Sequence, residues 1–269
     1  MKLKCLSCEA LARPVYLCAA QSPHIVDVTL FKIGLHNEPD TLRTRLQTAI
    51  DTASAETDAG TYDAIVMGYG LCGKATAELH ARTVPVIIPR AHDCITLFLG
   101  SRERYQDQFE NQSGTYWYVL DYIQRSQSQN TPLSLGAGVE TDIHSVYEEY
   151  VAKYGQDNAD YLMEVMGAWQ QHYNRAAYID MGVGDGRAVE AETQTVAARR
   201  GWTYDKLAGD LMLIRRLING DWADDFLVLE PGHHITMSYD HNVMKCATSL
   251  PLPHKAKNKT QEATLASGY

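Results

Sequence analysis

Short apolar runs alternate with amphipathic segments along the first hundred residues of the chain. Apolar and β-branched residues concentrate in runs typical of buried strands, at 2–7, 25–31, 62–69 and 84–89. Between these runs, apolar residues recur at helical spacing, which predicts helices over 9–20, 39–53 and 74–81. Strands that alternate with helices predict right-handed crossovers and a mostly parallel sheet with helices on both of its faces.

The second half of the chain repeats this alternation after a polar stretch. Residues 126–138 are rich in Ser, Gln, Gly and Asn and mark a loop or boundary. Further strands are predicted at 177–181 and 226–230, and helices over 146–173, 188–200 and 204–219. The predicted fold class is therefore α/β, with mostly parallel sheets, helices on both faces and two Rossmann-like halves.

Three regions follow from this pattern. The first is an N-terminal α/β half, residues 1–125, which carries the cysteine motifs. The second is a C-terminal α/β half with a helical insertion, residues 126–250, and the third is a polar tail, 251–269, predicted to be mobile.

Charge and cysteine content narrow the possible partners. The chain has 24 Lys and Arg against 33 Asp and Glu, a formal charge of −9, so we expect no nucleic-acid binding through a basic face. No apolar run approaches the ~20 residues of a membrane span, and Glu9, Arg13 and Pro14 make the N-terminus a poor signal peptide. A cytoplasmic location is therefore expected, where six cysteines are metal ligands, nucleophiles or core residues more often than disulfides.

Three cysteines follow predicted strands directly. Cys8, Cys72 and Cys94 each lie at the carboxyl end of a strand, and such ends meet at one edge of a parallel sheet, where ligands bind. Three thiolates there suit Zn²⁺ with a histidine or water as fourth ligand. They equally suit a [4Fe-4S] cluster with one open iron, and each cysteine alone is also explained as a small buried core residue.

The other cysteines have different expected roles. Cys18 lies on a helix face and Cys246 in a predicted irregular region, so neither is expected to bind metal. Cys5 lies within the first strand and is expected in the core. It also forms a C-x-x-C motif with Cys8, which leaves a redox pair as a weaker alternative.

The segment Arg90-Ala91-His92-Asp93-Cys94 concentrates the candidate catalytic residues. His92 suits a metal ligand or a general base, and Asp93 suits a residue that orients it. Asp93 equally suits the N-cap of a helix that begins at Cys94. Arg90 completes the predicted catalytic group.

Substrate contacts are predicted from glycines, arginines and strand-end histidines. Glycines in GYGLCG allow backbone N–H groups to approach an anion or a cluster, and the arginines of GSRERY can clamp a carboxylate or phosphate, although a solvated helix end explains them as well. The predicted substrate-binding set is Gly70, Gly73, Ser101, Arg102, Arg104, Tyr105, His36 and His233.

The motifs GYGLCG, PRAHDCITLFLGSRERY and DFLVLEPGH, together with CEALAR and RLQTAID, resemble the DUF1638 family of uncharacterised proteins. The resemblance covers most of residues 1–235 and implies that Cys8, Cys72, His92, Asp93 and Cys94 sit in family motifs. Because relatives accompany corrinoid-dependent methyltransferase systems, it also implies a place in one-carbon metabolism and a methyltransferase or corrinoid protein as a possible partner.

Two classes of function fit these residues. The first is a metal-dependent enzyme whose three-cysteine centre, Zn or [4Fe-4S], acts on a small molecule by methyl transfer, sulfur transfer or hydrolytic removal. The alternative is a carrier of a metal, cluster or corrinoid for a methyltransferase system, and a purely structural zinc site is a third possibility. The pairing of His92 with Asp93 beside Cys94 favours the enzyme. Oligomerisation is compatible with either class.

Overall fold

A computed structural model describes residues 1–57, 62–126, 151, 155–156 and 173–248, and every structural statement below concerns these residues. The first sheet has five strands in the spatial order β2-β1-β3-β4-β8. Their bounds are β1 Lys2–Cys8, β2 Ile25–Phe31, β3 Ala64–Gly68, β4 Val86–Pro89 and β8 Phe226–Leu229. The first four strands run parallel, and β8 pairs antiparallel with β4 at the edge.

A second sheet and a hairpin complete the strands. The second sheet is parallel, in the order β5-β6-β7, with β5 Thr115–Val119, β6 Arg175–Asp180 and β7 Thr203–Ala208. The hairpin consists of β9 His233–Met237 and β10 Met244–Thr248.

Seven α-helices and two 3₁₀ turns connect the strands of the described chain. The helices are α1 Ala12–Gln21, α2 Pro39–Thr57, α3 Cys94–Leu99, α4 Arg102–Asn111, α5 Leu120–Ser126, α6 Arg187–Arg200 and α7 Met212–Asn219. The 3₁₀ turns span Glu9–Leu11 and Leu35–Asn37. Among the described helices, none has the length and apolarity required to cross a membrane.

The first sheet is covered on both faces because its strands are apolar on both sides. Alternate residues of β1 and β3 point to opposite faces: Leu3 and Val66 pack with α1 and α7, whereas Leu6 and Met67 pack with α2. This arrangement confirms the predicted α/β class with mostly parallel sheets. The predicted boundary at residue 126 stays a prediction; β5 precedes it in the second sheet, and β8 follows it in the first.

Two predicted helices take other forms. Residues 74–81 form turns instead of a helix, because Lys74 and Glu78 have left-handed backbone conformations, with φ of 76° and 65°. Residues 204–219 divide into β7 and α7, since Thr203 to Ala208 pair with β6 and the chain then turns at Gly209.

Three further predictions concern the C-terminal half. Cys246 lies in β10 rather than in an irregular region. Most of the helix predicted over 146–173 and the whole predicted tail at 251–269 lie outside the described residues.

The apolar face of α7 provides a test of the fold. Leu217 is fully buried against the first sheet, so Leu217→Ala should lower the free energy of unfolding by about 2–5 kcal/mol. Arg215→Ala, on the exposed face of the same helix, should change it by less than about 0.5 kcal/mol. Urea unfolding of both variants measures the difference, and equal effects would show that α7 does not pack on this core.

Candidate metal centre and adjoining pocket

Three cysteines from three separate chain segments line a single cavity. Cys8 is the last residue of β1, Cys72 lies in the loop after β3, and Cys94 is the first residue of α3, after β4. All three line a cavity of about 270 Å³, which we call the thiol pocket. The pocket lies at the carboxyl ends of three neighbouring parallel strands, the edge where α/β sheets bind ligands.

Backbone hydrogen bonds hold two of the cysteine-bearing loops together. The N–H of Leu71 donates to the carbonyl of Ala91 at 2.8 Å, and the N–H of Cys72 donates to the carbonyl of His92 at 2.9 Å. A Cβ at Gly70 would lie 2.7 Å from the Ala91 carbonyl oxygen, so this close approach requires glycine. Gly70 therefore has a packing role that brings Cys72 near Cys94.

The backbone at Cys72 is strained. Its φ is 46°, a left-handed conformation that non-glycine residues rarely adopt. Such conformations cost free energy and cluster at functional sites. The strain at a cysteine beside the two other thiols is consistent with a functional need for the sulfur at this place.

Burial and mutual proximity make these thiols hard to ionise without a cation. Burial raises the pKa of Cys8 to about 11. The pKa of Cys72 is raised by burial and, to a smaller extent, by the neighbouring Cys8 and Asp93. The pKa of Cys94 is raised by burial and then by Asp93, Cys72 and Cys8. Each thiolate would thus repel the others. Such a group of thiols is expected to lose its protons only when a positive charge is bound among them.

Backbone N–H groups partly offset this cost. The N–H of Ala10 faces the Cys8 sulfur, that of Gly70 faces Cys72, and that of Cys94 faces its own sulfur; each lowers the pKa of the thiol. Hydrogen bonds from backbone donors to sulfur are a common second layer around thiolate-held metals.

Six aromatic side chains contribute to the wall of the thiol pocket. They are Tyr69, Tyr105, Phe109, Trp117, Tyr122 and Tyr173. Burial raises the pKa values of Tyr69, Tyr105 and Tyr122, so these phenols stay protonated at neutral pH. The pocket is consequently a mostly apolar chamber with hydroxyl groups in its wall, which suits a small organic molecule.

Two polar atoms of the pocket residues are buried without a hydrogen-bond partner in the described structure. They are the hydroxyl oxygen of Tyr69 and Nε2 of His36. Burial lowers the pKa of His36, which favours the neutral imidazole. Because buried polar atoms are nearly always satisfied by protein or ordered water, these two atoms are open to a bound molecule or to water in the pocket.

Asp93 both caps a helix and faces the thiol pocket. Its carboxylate accepts the N–H of Ile95 at 2.9 Å, as the N-cap of α3, and the hydroxyl of Tyr105 at 3.2 Å. Burial raises its pKa despite these hydrogen bonds. The capping role and the pocket-facing role, offered as alternatives by the sequence, coexist in this residue.

His92 and two arginines line a different cavity. His92 is exposed and stacks on Tyr105, with ring centroids 5.8 Å apart, in a second cavity of about 610 Å³. Arg90 and Arg102 also line the second cavity, and they donate to the carbonyls of Met244 and His241 near β10. Tyr105 and Phe109 line both cavities and thus stand between them.

The remaining predicted substrate residues divide between the pocket and distant positions. Gly73 lines the thiol pocket. Ser101 caps α4 by accepting the N–H of Arg104, and Arg104 donates to the carbonyls of Leu99 and Ala208, away from the pocket. His233 lies in β9 and contacts the carbonyl of Glu230.

The other three cysteines lie apart from the thiol pocket. Cys5 and Cys18 are buried in the core between the first sheet, α1 and α7, and Cys246 is exposed. All six cysteines are free thiols. Cys5 and Cys8 are three positions apart on one strand, so their side chains point to opposite faces and do not pair.

No three His, Cys, Asp or Glu side chains in the described part of the chain are already arranged as ligands around one point. The three cysteines share the pocket wall, so ligation by them requires their side chains to turn toward a common ion. The free energy of metal binding would have to supply this rearrangement, since metal binding and local ordering of ligands are coupled.

Sequence reasoning missed Tyr69, Trp117 and Tyr122 as pocket residues. Tyr69 lies in the GYGLCG motif, whose glycines already indicated a binding site, so its position in that motif could have identified it as a pocket residue. Trp117 and Tyr122 come from β5 and α5, and nothing in their local sequence places them opposite Cys8.

The contact across Gly70 can be tested by adding one methyl group. Gly70→Ala should destabilise the protein by about 1–3 kcal/mol, because its Cβ meets backbone atoms that cannot move aside independently. It should also speed alkylation of Cys72 and Cys94, measured by mass spectrometry of the labelled peptides.

Gly73→Ala is the matched control. Gly73 has a φ of 63°, and the nearest atom to its Cβ position is 3.7 Å away without a clash, so the substitution should cost about 1–2 kcal/mol in backbone strain alone. It should leave the labelling of Cys94 unchanged. Equal labelling of Cys94 in Gly70→Ala and the unmodified protein would show that Gly70 does not hold the two loops together.

Comparison with known proteins places this chain in a family. The model of the family described as protein of unknown function (DUF1638) matches residues 30–218, well over half of the chain. The matched range includes His36, Cys72 and Cys94, and Cys8 lies before it. No curated protein and no solved structure matches the chain. The chain belongs to the DUF1638 family.

Proposed function

We propose that the chain is a metal-dependent enzyme whose centre is held by Cys8, Cys72 and Cys94 and acts on a small molecule in the adjoining pocket. The observation that carries this proposal is the position of the three cysteines: they come from three strand ends far apart in sequence and line one cavity. Three separate chain segments that each place a thiol at the same wall are difficult to explain by core packing alone.

The chemistry of the thiols supports a soft metal. Thiolates bind Zn²⁺ or an iron–sulfur cluster strongly, and a cation relieves the repulsion between neighbouring sulfurs. When bound, such a metal supplies a Lewis acid that activates a water molecule or a substrate thiol. The backbone N–H groups that face the three sulfurs would support their ionised form.

The protein's own residues supply binding and proton transfer. The aromatic wall would hold the apolar part of a substrate and exclude water from the sulfurs. Asp93 carries the one carboxylate among the described residues of this wall, so it is the proposed acid or base, held in place by Tyr105. His92 faces the second cavity, where Arg90 and Arg102 would bind an anionic group of a longer substrate.

The pocket favours an enzyme over a carrier of a metal, cluster or corrinoid. A carrier must present its cargo for transfer, whereas an enzyme needs a chamber beside the metal with a proton-transfer group. The thiol pocket offers both the chamber and a carboxyl group. Methyl transfer, sulfur transfer and hydrolytic removal all remain compatible reactions, in a cytoplasm that keeps the thiols reduced and with a methyltransferase or corrinoid protein as a possible partner.

Metal content tests the proposal directly. Protein purified under argon should contain about one zinc per chain, or the iron and visible absorption of a cluster. Cys8→Ser, Cys72→Ser and Cys94→Ser should each lose most of the metal, because each removes one thiolate. Inductively coupled plasma mass spectrometry measures the metal content. Cys18→Ser and Cys246→Ser, which lie outside the pocket, should keep it.

A further variant separates loss of metal from loss of folding. Cys72→Gly removes the thiol and also relieves the left-handed backbone strain, so it should fold at least as well as Cys72→Ser and still lack metal. Equal metal content in all the cysteine variants, or no metal in the unmodified protein, would overturn the shared centre.

A further inference from the structure

We propose that the imidazole of His36 is the fourth ligand of this centre, which makes it a Cys₃His site. The inference rests on the proposed function, because it assigns a ligand to a metal that the three cysteines would hold. It also chooses between two metals: four protein ligands suit tetrahedral Zn²⁺, whereas a three-cysteine cluster leaves one iron open.

The fold brings His36 to the thiol pocket by a route independent of the cysteine loops. β2 pairs with β1 up to its last residue, with Phe31 opposite Cys8. The chain then turns at Gly34, whose φ is 93°, and the 3₁₀ turn Leu35–Asn37 carries His36 back over the end of β1. His36 thereby lines the same cavity as Cys8, Cys72 and Cys94.

The turn that bears His36 also packs near the Cys72 loop. The Cβ position of Gly73 lies 3.7 Å from the carbonyl oxygen of His36, which is ordinary van der Waals contact. Four strand ends, those of β1, β2, β3 and β4, therefore each contribute one potential ligand to the pocket.

One ring nitrogen of His36, Nε2, is buried but has no hydrogen-bond partner within the described structure. Leaving a buried polar nitrogen unsatisfied is unfavourable, because the nitrogen loses its hydrogen bonds to water and gains none in return. Tyr69 and Asp93 also line the cavity, but neither forms a hydrogen bond with His36 in the structure. A metal ion held by the three thiols would give this nitrogen a partner.

Among the histidines that the structure describes, His36 is the one that lines the thiol pocket. His24 contacts the carbonyl of Asn219, and His80 stacks on His234. The others lie in the second cavity or in β9: His92, His241 and His233.

A Cys₃His set has a consequence for the reaction. Four protein ligands would fill the tetrahedral positions of zinc, so His36 would have to give up its position for a substrate to bind the metal there. His36 lies on a short turn rather than within a strand, so its release would not disrupt the sheet.

The experiment loads the full-length chain with Co²⁺ in place of zinc under argon and records its visible absorption. His36→Ala should shift the ligand-field bands and weaken zinc affinity by about 100-fold or more, since it removes one of four ligands. Added imidazole should restore the original spectrum by filling the vacated position. His233→Ala, the control, should leave both the spectrum and the affinity unchanged.

Each outcome separates this inference from the proposal on which it rests. If the unmodified chain binds neither cobalt nor zinc, the metal centre itself is wrong. If it binds both, and His36→Ala keeps the original spectrum and affinity, only the role of His36 is wrong. A third outcome would also overturn ligation by His36. In it, His36→Ala and a folded His36→Gln variant both lose the metal, and added imidazole does not restore binding.

Discussion

The site depends on the backbone contact between the loop after β3 and the loop after β4. Hydrogen bonds from Leu71 and Cys72 to the second loop require that Gly70 lie against the carbonyl of Ala91 with no side chain between them. This contact fixes Cys72 and Cys94 at one edge of the sheet, where β1 already ends in Cys8. A parallel sheet supplies the common edge, and the glycine supplies the close approach.

The same contact explains the electrostatic character of the pocket. The three cysteines are half-buried beside aromatic rings at this contact, so their thiols lose part of the solvation that an anion needs. Neighbouring sulfurs then oppose one another's ionisation. A cation among them would remove both penalties at once, which is the reason for proposing a metal centre rather than a set of independent reactive thiols.

The sequence predicted the parts of the site that follow from topology. A strand end can be read from an apolar run, so Cys8, Cys72 and Cys94 could be assigned to one edge before their positions were known. Side-chain position could not be read in this way: His92 lines the second cavity, whereas His36, on a turn with no distinctive periodicity, lines the thiol pocket. The helix expected over 74–81 also does not form. The backbone of Glu78, Leu79 and Ala81 forms hydrogen bonds with β9, more than 150 residues later in the chain. Contacts between distant segments override local helical spacing.

X-ray absorption at the metal edge tests the central claim most directly, since it reports which atoms surround the metal. The account predicts that zinc in the full-length chain has sulfur neighbours at about 2.3 Å, three for each zinc, with one lighter nitrogen neighbour. A first shell made only of oxygen and nitrogen would contradict it, because the metal would then lie away from Cys8, Cys72 and Cys94.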